Sequence, residues 1–302
     1  MAAAAELNYQ PNPLARSLRT RRSRTVGVIL PDLTNPLFPP IVRGIEDRLA
    51  ADSYAALIGN TDSDDTRERL IFDRLRARHV DGFVFATARL DSPLLAEAAR
   101  DGLPVVLVNR VADGGAFPAV TVDNARGVEL AVSHLVALGH RRIAHIAGPL
   151  DVSTGLARYQ GFLAAVRGAQ LDGGPALVAR ARAYSVEEGE RCCAELLALD
   201  PPVTAIAAAN DMLALGCYSG LAAAGLACPD DISVVGYNDM PFNGRLRPPL
   251  TTVRFGHYLL GTSAGELILE RIAALDGPVK ILYLAPELVV RGSTGPPALP
   301  AH

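Results

Sequence analysis

Short apolar runs and segments of helical period alternate along most of the chain. "TVGVIL" precedes a stretch whose spacing predicts a helix from about Leu37 to Ala51, and "AALIG" precedes one from about Thr66 to Arg78. The series continues through "GFVFA", "VVLV", "AVTV", "IAHIA", "TAIAAA" and "ISVVG". Apolar runs this short, separated by helices, indicate parallel strands buried on both faces of a sheet. After Asp123, the residues Val128, Ala131, Val132, Leu135 and Leu138 share one helical face, and Gly139 supplies the stop. These strands are too many for one comfortable open sheet, so the pattern predicts an α/β protein with two doubly wound parallel-sheet lobes, dividing between Asp123 and Arg142. A length of 302 residues fits two lobes.

Polar residues follow the strands closely. Pro31-Asp32 comes after "VGVIL", Asn109-Arg110 after "VVLV", Asp123-Asn124 after "AVTV", Asn210-Asp211 after "TAIAAA", and Tyr237-Asn238-Asp239 after "ISVVG". Open parallel sheets bind ligands beyond the carboxyl ends of their strands, so these positions predict a polar cleft between the lobes. Each could also serve simply as a helix cap. "STGLARYQGF" reads as a helix start capped by Ser153 or Thr154, which sets Arg158 near the positive end of the helix dipole and calls for a compensating ligand oxygen or carboxylate. Asn, Asp and Arg side chains with aromatic Phe38 and Tyr184 suit a polyhydroxylated small molecule.

Composition narrows the class. A hydrophobic fraction of 49% with 20% charged residues describes a globular chain, and no apolar run is long enough to span a bilayer. "MAAAAELNY" lacks the basic segment and apolar core of a secretory signal, so the expected location is the cytoplasm. Cys192, Cys193, Cys217 and Cys228 show no metal or disulfide spacing, and neither a metal nor a cofactor is expected. Gly261-Thr262-Ser263-Ala264-Gly265 matches the GxSxG elbow of hydrolases, but "GHYLLGTSAGELILERI" reads as one amphipathic helix, with no strand before the serine and no triad after it. Catalysis is therefore not expected. In "DSDDTRE", Asp65 and Glu68 suggest a capping box rather than a metal loop. The net charge of −3 conceals a basic start: Arg16, Arg19, Arg21, Arg22 and Arg24 stand against the lone acid Glu6. Such a segment is either a solvated linker or a polyanion contact.

Seven segments in order resemble the lactose-repressor (LacI/GalR) family of bacterial transcription regulators. They are "ELNYQPNPLARSLRT", "VGVILPDLTNPLFPPIVRGIE", "VDNARGVELAVSHLVALGHRRIAHIAGP", "RYQGF", "AANDMLALG", "PDDISVVGYNDMPF" and "PPLTTVR". The resemblance implies lobes of periplasmic-binding-protein type behind a short hinge helix. It places a remnant of the DNA-binding domain and the hinge in residues 1–23, a first lobe in 24–135 with 255–283, a second in 136–254 with 284–296, and a tail in 297–302. "NPLARSL" is similar to the hinge: Asn12 caps, Pro13 opens the helix, Leu18 matches the lever wedged between base pairs, Ala15 and Arg16 resemble its minor-groove neighbours, and Arg19 with Arg21 and Arg22 would lie near phosphates. The family's first two helices, including the recognition helix, have no counterpart in Met1 to Tyr9, which implies a truncated chain or a misplaced start codon in preference to a natural DNA-free regulator, and no operator specificity of its own.

For the effector, the resemblance makes Leu37 and Phe38 an apolar wall. It makes Asp123, Arg158 and Asn210 polar contacts to a sugar or purine, Tyr184 a stacking ring, and Arg110 and Asn238 further contacts. Asn238 departs from the Asp of well-studied sugar-responsive members, and an amide donates as well as accepts. The expected protein is the effector-sensing core of a homodimeric regulator, a repressor, with operator DNA and a sugar as partners. A periplasmic-type sugar-binding protein of a transporter shares the architecture, but would carry a signal peptide and no basic hinge.

Overall fold

The computed structural model describes residues 22–171 and 174–298. The hinge residues Asn12, Ala15, Arg16, Leu18 and Arg19 lie outside them, as does most of the tail. Two six-stranded sheets are present. The first contains β1 (Thr25–Leu30), β2 (Ala55–Asn60), β3 (Gly82–Phe85), β4 (Val105–Val108), β5 (Ala119–Val122) and β11 (Ile281–Leu284), in the order 11-5-4-3-1-2. The second contains β6 (Ile143–Ala147), β7 (Val178–Arg180), β8 (Ala205–Ala208), β9 (Ser233–Asn238), β10 (Thr251–Arg254) and β12 (Glu287–Val289), in the order 12-10-9-8-6-7. All pairings are parallel except β10 with β12. In each lobe the order reverses beside the first strand, β1 or β6, which opens a crevice at the strands' carboxyl ends.

Helices α1 (Phe38–Ala51), α2 (Asp65–Ala77), α3 (Pro93–Arg100) and α8 (His257–Ala273) cover the first sheet, and α4 (Asn124–Ala137), α5 (Ser153–Gly168), α6 (Val186–Leu197) and α7 (Asp211–Ala223) the second. The strands are apolar without interruption because both faces are buried. Val26, Val28 and Leu30 face α1 and α8 among Ile41, Ile45 and Leu260, while Ile29 faces α2 and α3 among Phe72, Phe83 and Leu95. The alternation is the period of two of a β-strand. The four edge strands, β2, β7, β11 and β12, are the exceptions, and Ile58 on β2 and Tyr283 on β11 are left exposed.

Several expectations are corrected. α4 packs whole onto α5 and over β8, β9 and β10, so it belongs to the second lobe, and a boundary at residue 135 would cut through a single helix. The cap of α2 is Asp64, whose carboxylate takes the Arg67 N–H at 2.7 Å, while the Glu68 carboxyl turns to the Thr87 hydroxyl. Neither Ser153 nor Thr154 caps α5; Val152 occupies the cap position without a side-chain bond. The GxSxG stretch lies inside α8, and its glycines have a packing role. A Cβ at Gly261 would stand 2.0 Å from the Ile41 carbonyl oxygen of α1, and one at Gly265 2.9 Å from the Arg48 side chain. The two helices touch backbone to backbone there, and Ser263 sits in no turn. The four cysteines are free thiols, three of them buried. Among the described residues no helix is long and apolar enough to cross a membrane, and no group of side chains could hold a metal.

Candidate functional site

Between the lobes, at the carboxyl ends of the strands, lies a cleft of about 520 Å3. That is within the usual range for small-molecule sites, roughly 300–1,000 Å3. Leu37, Phe38, Arg110, Arg158, Tyr184, Asn210 and Asn238 all line it. Leu37 and Phe38 are buried at the start of α1 and form its apolar side. Tyr184 comes from the loop after β7; its ring fills the space beside Gly148, where a Cβ would come within 2.4 Å, and its hydroxyl lies 3.4 Å from that of Thr154.

Arg158, on the inner side of α5, is only 3% exposed. Its Nε donates to the Asn124 Oδ1 at 2.8 Å and its Nη1 to the Ala209 carbonyl at 2.6 Å. The guanidinium carbon sits 3.7 Å from the centre of the Tyr237 ring, so the aromatic face supplies part of the charge compensation. Neutral oxygens and a π face hold this cation, and no carboxylate among the described residues pairs with it. Burial pushes the Tyr237 hydroxyl up to about 12, and that hydroxyl has no hydrogen-bond partner.

Arg110 is held more loosely. Its Nη1 donates to the Thr87 carbonyl at 3.3 Å, and its Nε is buried without a partner. Burial draws its basicity below that of an ordinary guanidinium. Two amides lining the same cleft are equally unsatisfied: the Oδ1 atoms of Asn109 and Asn238 are buried and accept nothing. Both residues have positive φ, 66° and 116°, at the ends of β4 and β9. Non-glycine residues in that region carry backbone strain, which collects at ligand sites. Polar atoms in a folded interior are nearly always paired, so these three set the cleft apart.

One expected residue is placed differently, and another has a second role. Asp123 is exposed; its carboxylate caps α4 by accepting the Arg126 N–H at 3.0 Å, and it borders a groove of about 800 Å3 on the outer face between α4 and α5. That groove is lined largely by small residues and holds none of the unpaired buried atoms. Asn210 reaches the cleft, but its Oδ1 caps α7 on the Leu213 N–H at 2.9 Å. The side chain after β5 that turns inward is Asn124, which accepts a hydrogen bond from Arg158. Asn109 was visible as a polar residue after a strand, yet nothing in the sequence marks its amide as unpaired.

Residues 23–282 match the family described as "Periplasmic binding proteins and sugar binding domain of LacI family". The ribose operon repressor of Bacillus subtilis (strain 168) is 35% identical over 269 residues, 89% of this chain and 80% of its own. The chain belongs to the LacI family. A ribose-bound LacI-family transcriptional regulator from Enterococcus faecium superposes with a TM-score of 0.78 at 32% identity, over 90% of this chain and 99% of that one. The lac repressor dimer bound to operator and the anti-inducer ONPF superposes at 0.85 and 29% identity, over 97% of this chain and 88% of that one. The two lobes are thus the effector-binding core of a transcriptional regulator of the LacI family.

Proposed function

We propose that this LacI-family chain is the sensing and dimerisation core of a DNA-binding repressor that takes a small polyhydroxylated effector, a sugar, between its lobes. The observation that carries the reading is a set of unsatisfied buried atoms, Asn109 Oδ1, Asn238 Oδ1 and Arg110 Nε, on residues lining the same cleft as the immobilised Arg158. Each is a hydrogen-bonding position that a hydroxyl-rich molecule fills and bulk water in a closed cleft fills less well. The ribose bound to the Enterococcus faecium relative supports the class. Ligand contacts made by both lobes change their relative orientation, and with it the spacing of two hinge segments, Asn12 to Arg19, in a homodimer on operator DNA.

Thermal unfolding against pentoses, hexoses, disaccharides, polyols, nucleosides and purines tests this. An effector at a hundred times its Kd adds about 2.7 kcal/mol of stability. One clear hit that disappears in Arg158→Ala is the expected result, and a stabilisation that survives this substitution places the ligand elsewhere.

A further inference from the structure

The cleft's charges are distributed unevenly. Each carboxylate lining it is already engaged: Asp62 pairs with Arg67, Asp151 with Arg89, and Asp32 accepts the backbone N–H and hydroxyl of Thr34. Arg89 and Arg182 are engaged as well, Arg89 by Asp65 and Asp151, Arg182 by Glu188. Arg110 and Arg158 alone among the lining cations have no carboxylate partner among the described residues. Their neighbours offer them neutral groups: carbonyl and amide oxygens and, for Arg158, the face of the Tyr237 ring. Glu68 and Asp151 act on Arg110 through space without a hydrogen bond, and the Glu68 carboxyl is spent on the Thr87 hydroxyl, with burial raising it above the ordinary carboxylate range.

Two guanidinium groups held at the lining of one cleft without anions are costly unless a ligand brings the missing charge. A guanidinium with free N–H groups is suited to the forked oxygens of a carboxylate or phosphate, and such charge-assisted bonds are about twice as strong as neutral ones. The unpaired amides of Asn109 and Asn238 stand ready for hydroxyls. We infer that the effector is an anionic polyhydroxylated molecule, a sugar acid or sugar phosphate, whose charged group is bound by Arg110 in the cleft that Arg158 also lines. This rests on the reading of the cleft as the effector site.

The test is calorimetric titration at constant ionic strength with matched sets: glucose, gluconate and glucose 6-phosphate; galactose, galacturonate and galactose 6-phosphate; ribose, ribonate and ribose 5-phosphate. In at least one set a charged member should bind about tenfold tighter than its neutral parent or better, equivalent to about 1.4 kcal/mol. Raising sodium chloride should weaken the charged member and leave the parent unaffected. Arg110→Gln should bring the ratio of charged to neutral affinity close to one, the charged member losing more than its parent, and which charged member wins separates carboxylate from phosphate. Should that variant fold poorly, the salt dependence of the wild-type protein decides alone. A neutral parent that binds as tightly as its charged partners overturns the anionic proposal and leaves the sugar-sensing reading intact. Silence from every set, neutral and charged, overturns both.

Discussion

Arg158 depends on geometry as much as on charge. It bridges Asn124 on α4 and the Ala209 carbonyl at the end of β8 from two separate nitrogens, with the Tyr237 ring beneath. A lysine keeps the charge but presents one nitrogen and no plane, so it cannot satisfy both oxygens. Arg158→Lys should therefore lose about 1–3 kcal/mol of stability through the acceptors left bare, as well as effector binding. Tyr237→Phe separates the ring from its hydroxyl. Because the hydroxyl is buried and unpartnered, removing it should leave stability unchanged or raise it by up to about 1 kcal/mol while the stacking on Arg158 persists. Denaturant unfolding of both variants checks the pair, and a large loss in Tyr237→Phe would mean that the hydroxyl has a partner after all.

At the scale of elements, β6 and α5 are joined by the buried His145, which stacks on Phe162 with ring centroids 4.8 Å apart and is bonded to the Ala207 carbonyl at 2.6 Å. Burial, reinforced by the charge of Arg158, pushes the imidazole down to about 4 from its ordinary 6.5. A depressed pKa means that the unfolded chain takes up the proton first, so stability is lost as pH falls from about 6.5 to about 4. The loss attributable to this group is on the order of 3 kcal/mol, and His145→Phe should flatten that part of the stability profile whatever it does to the absolute value. Asp211 opposes it. Burial raises its carboxyl to about 6, so its contribution is present at low pH and is lost as pH rises through that value. The strands that frame these groups were legible as apolar runs, and so was the two-lobe plan. β7, β10, β11 and β12 were not: three or four residues long, half exposed in β11 and β12, they owe their pairing to the neighbouring strand and not to their own pattern. The glycines of α8 were misleading for a related reason. Gly261 is required by a helix from the other end of the lobe, α1, and a motif read along the chain cannot show that contact. Within the site, residue type and strand-end position marked Arg110, Arg158 and Asn238, while the difference between Asp123 as an outer cap and Asn124 as an inner ligand to Arg158 depends on which way one turn of backbone faces.

The whole molecule is held by a clasp beside the cleft. From the first lobe, the loop after β3 contributes Arg89, paired with Asp151 of the second lobe, and the Leu90 N–H, which donates to the Asp151 carbonyl at 2.9 Å. The loop after β4 contributes the Val111 N–H, which donates to the Ser153 Oγ at 2.9 Å. Ser153 therefore joins the lobes in place of capping its own helix, and it stands on the same helix as Arg158. The ion pair is exposed and so contributes only about 0–1 kcal/mol, and the two backbone donors add a similar amount each. A closed state favoured by so small a margin is one that an effector can shift, because population follows the difference in affinity between states. Asp151→Asn combined with Ser153→Ala should leave each lobe folded and lower effector affinity by up to about tenfold, since part of the binding energy then goes into closing the lobes. Small-angle scattering should show the unliganded variant more extended than the wild-type protein, and the saturated variant indistinguishable from it. Equal affinity together with unchanged scattering would mean that closure is set by the apolar cluster shared between the lobes, which runs from Val26 and Ile41 to Phe162 and Tyr237, and not by the clasp.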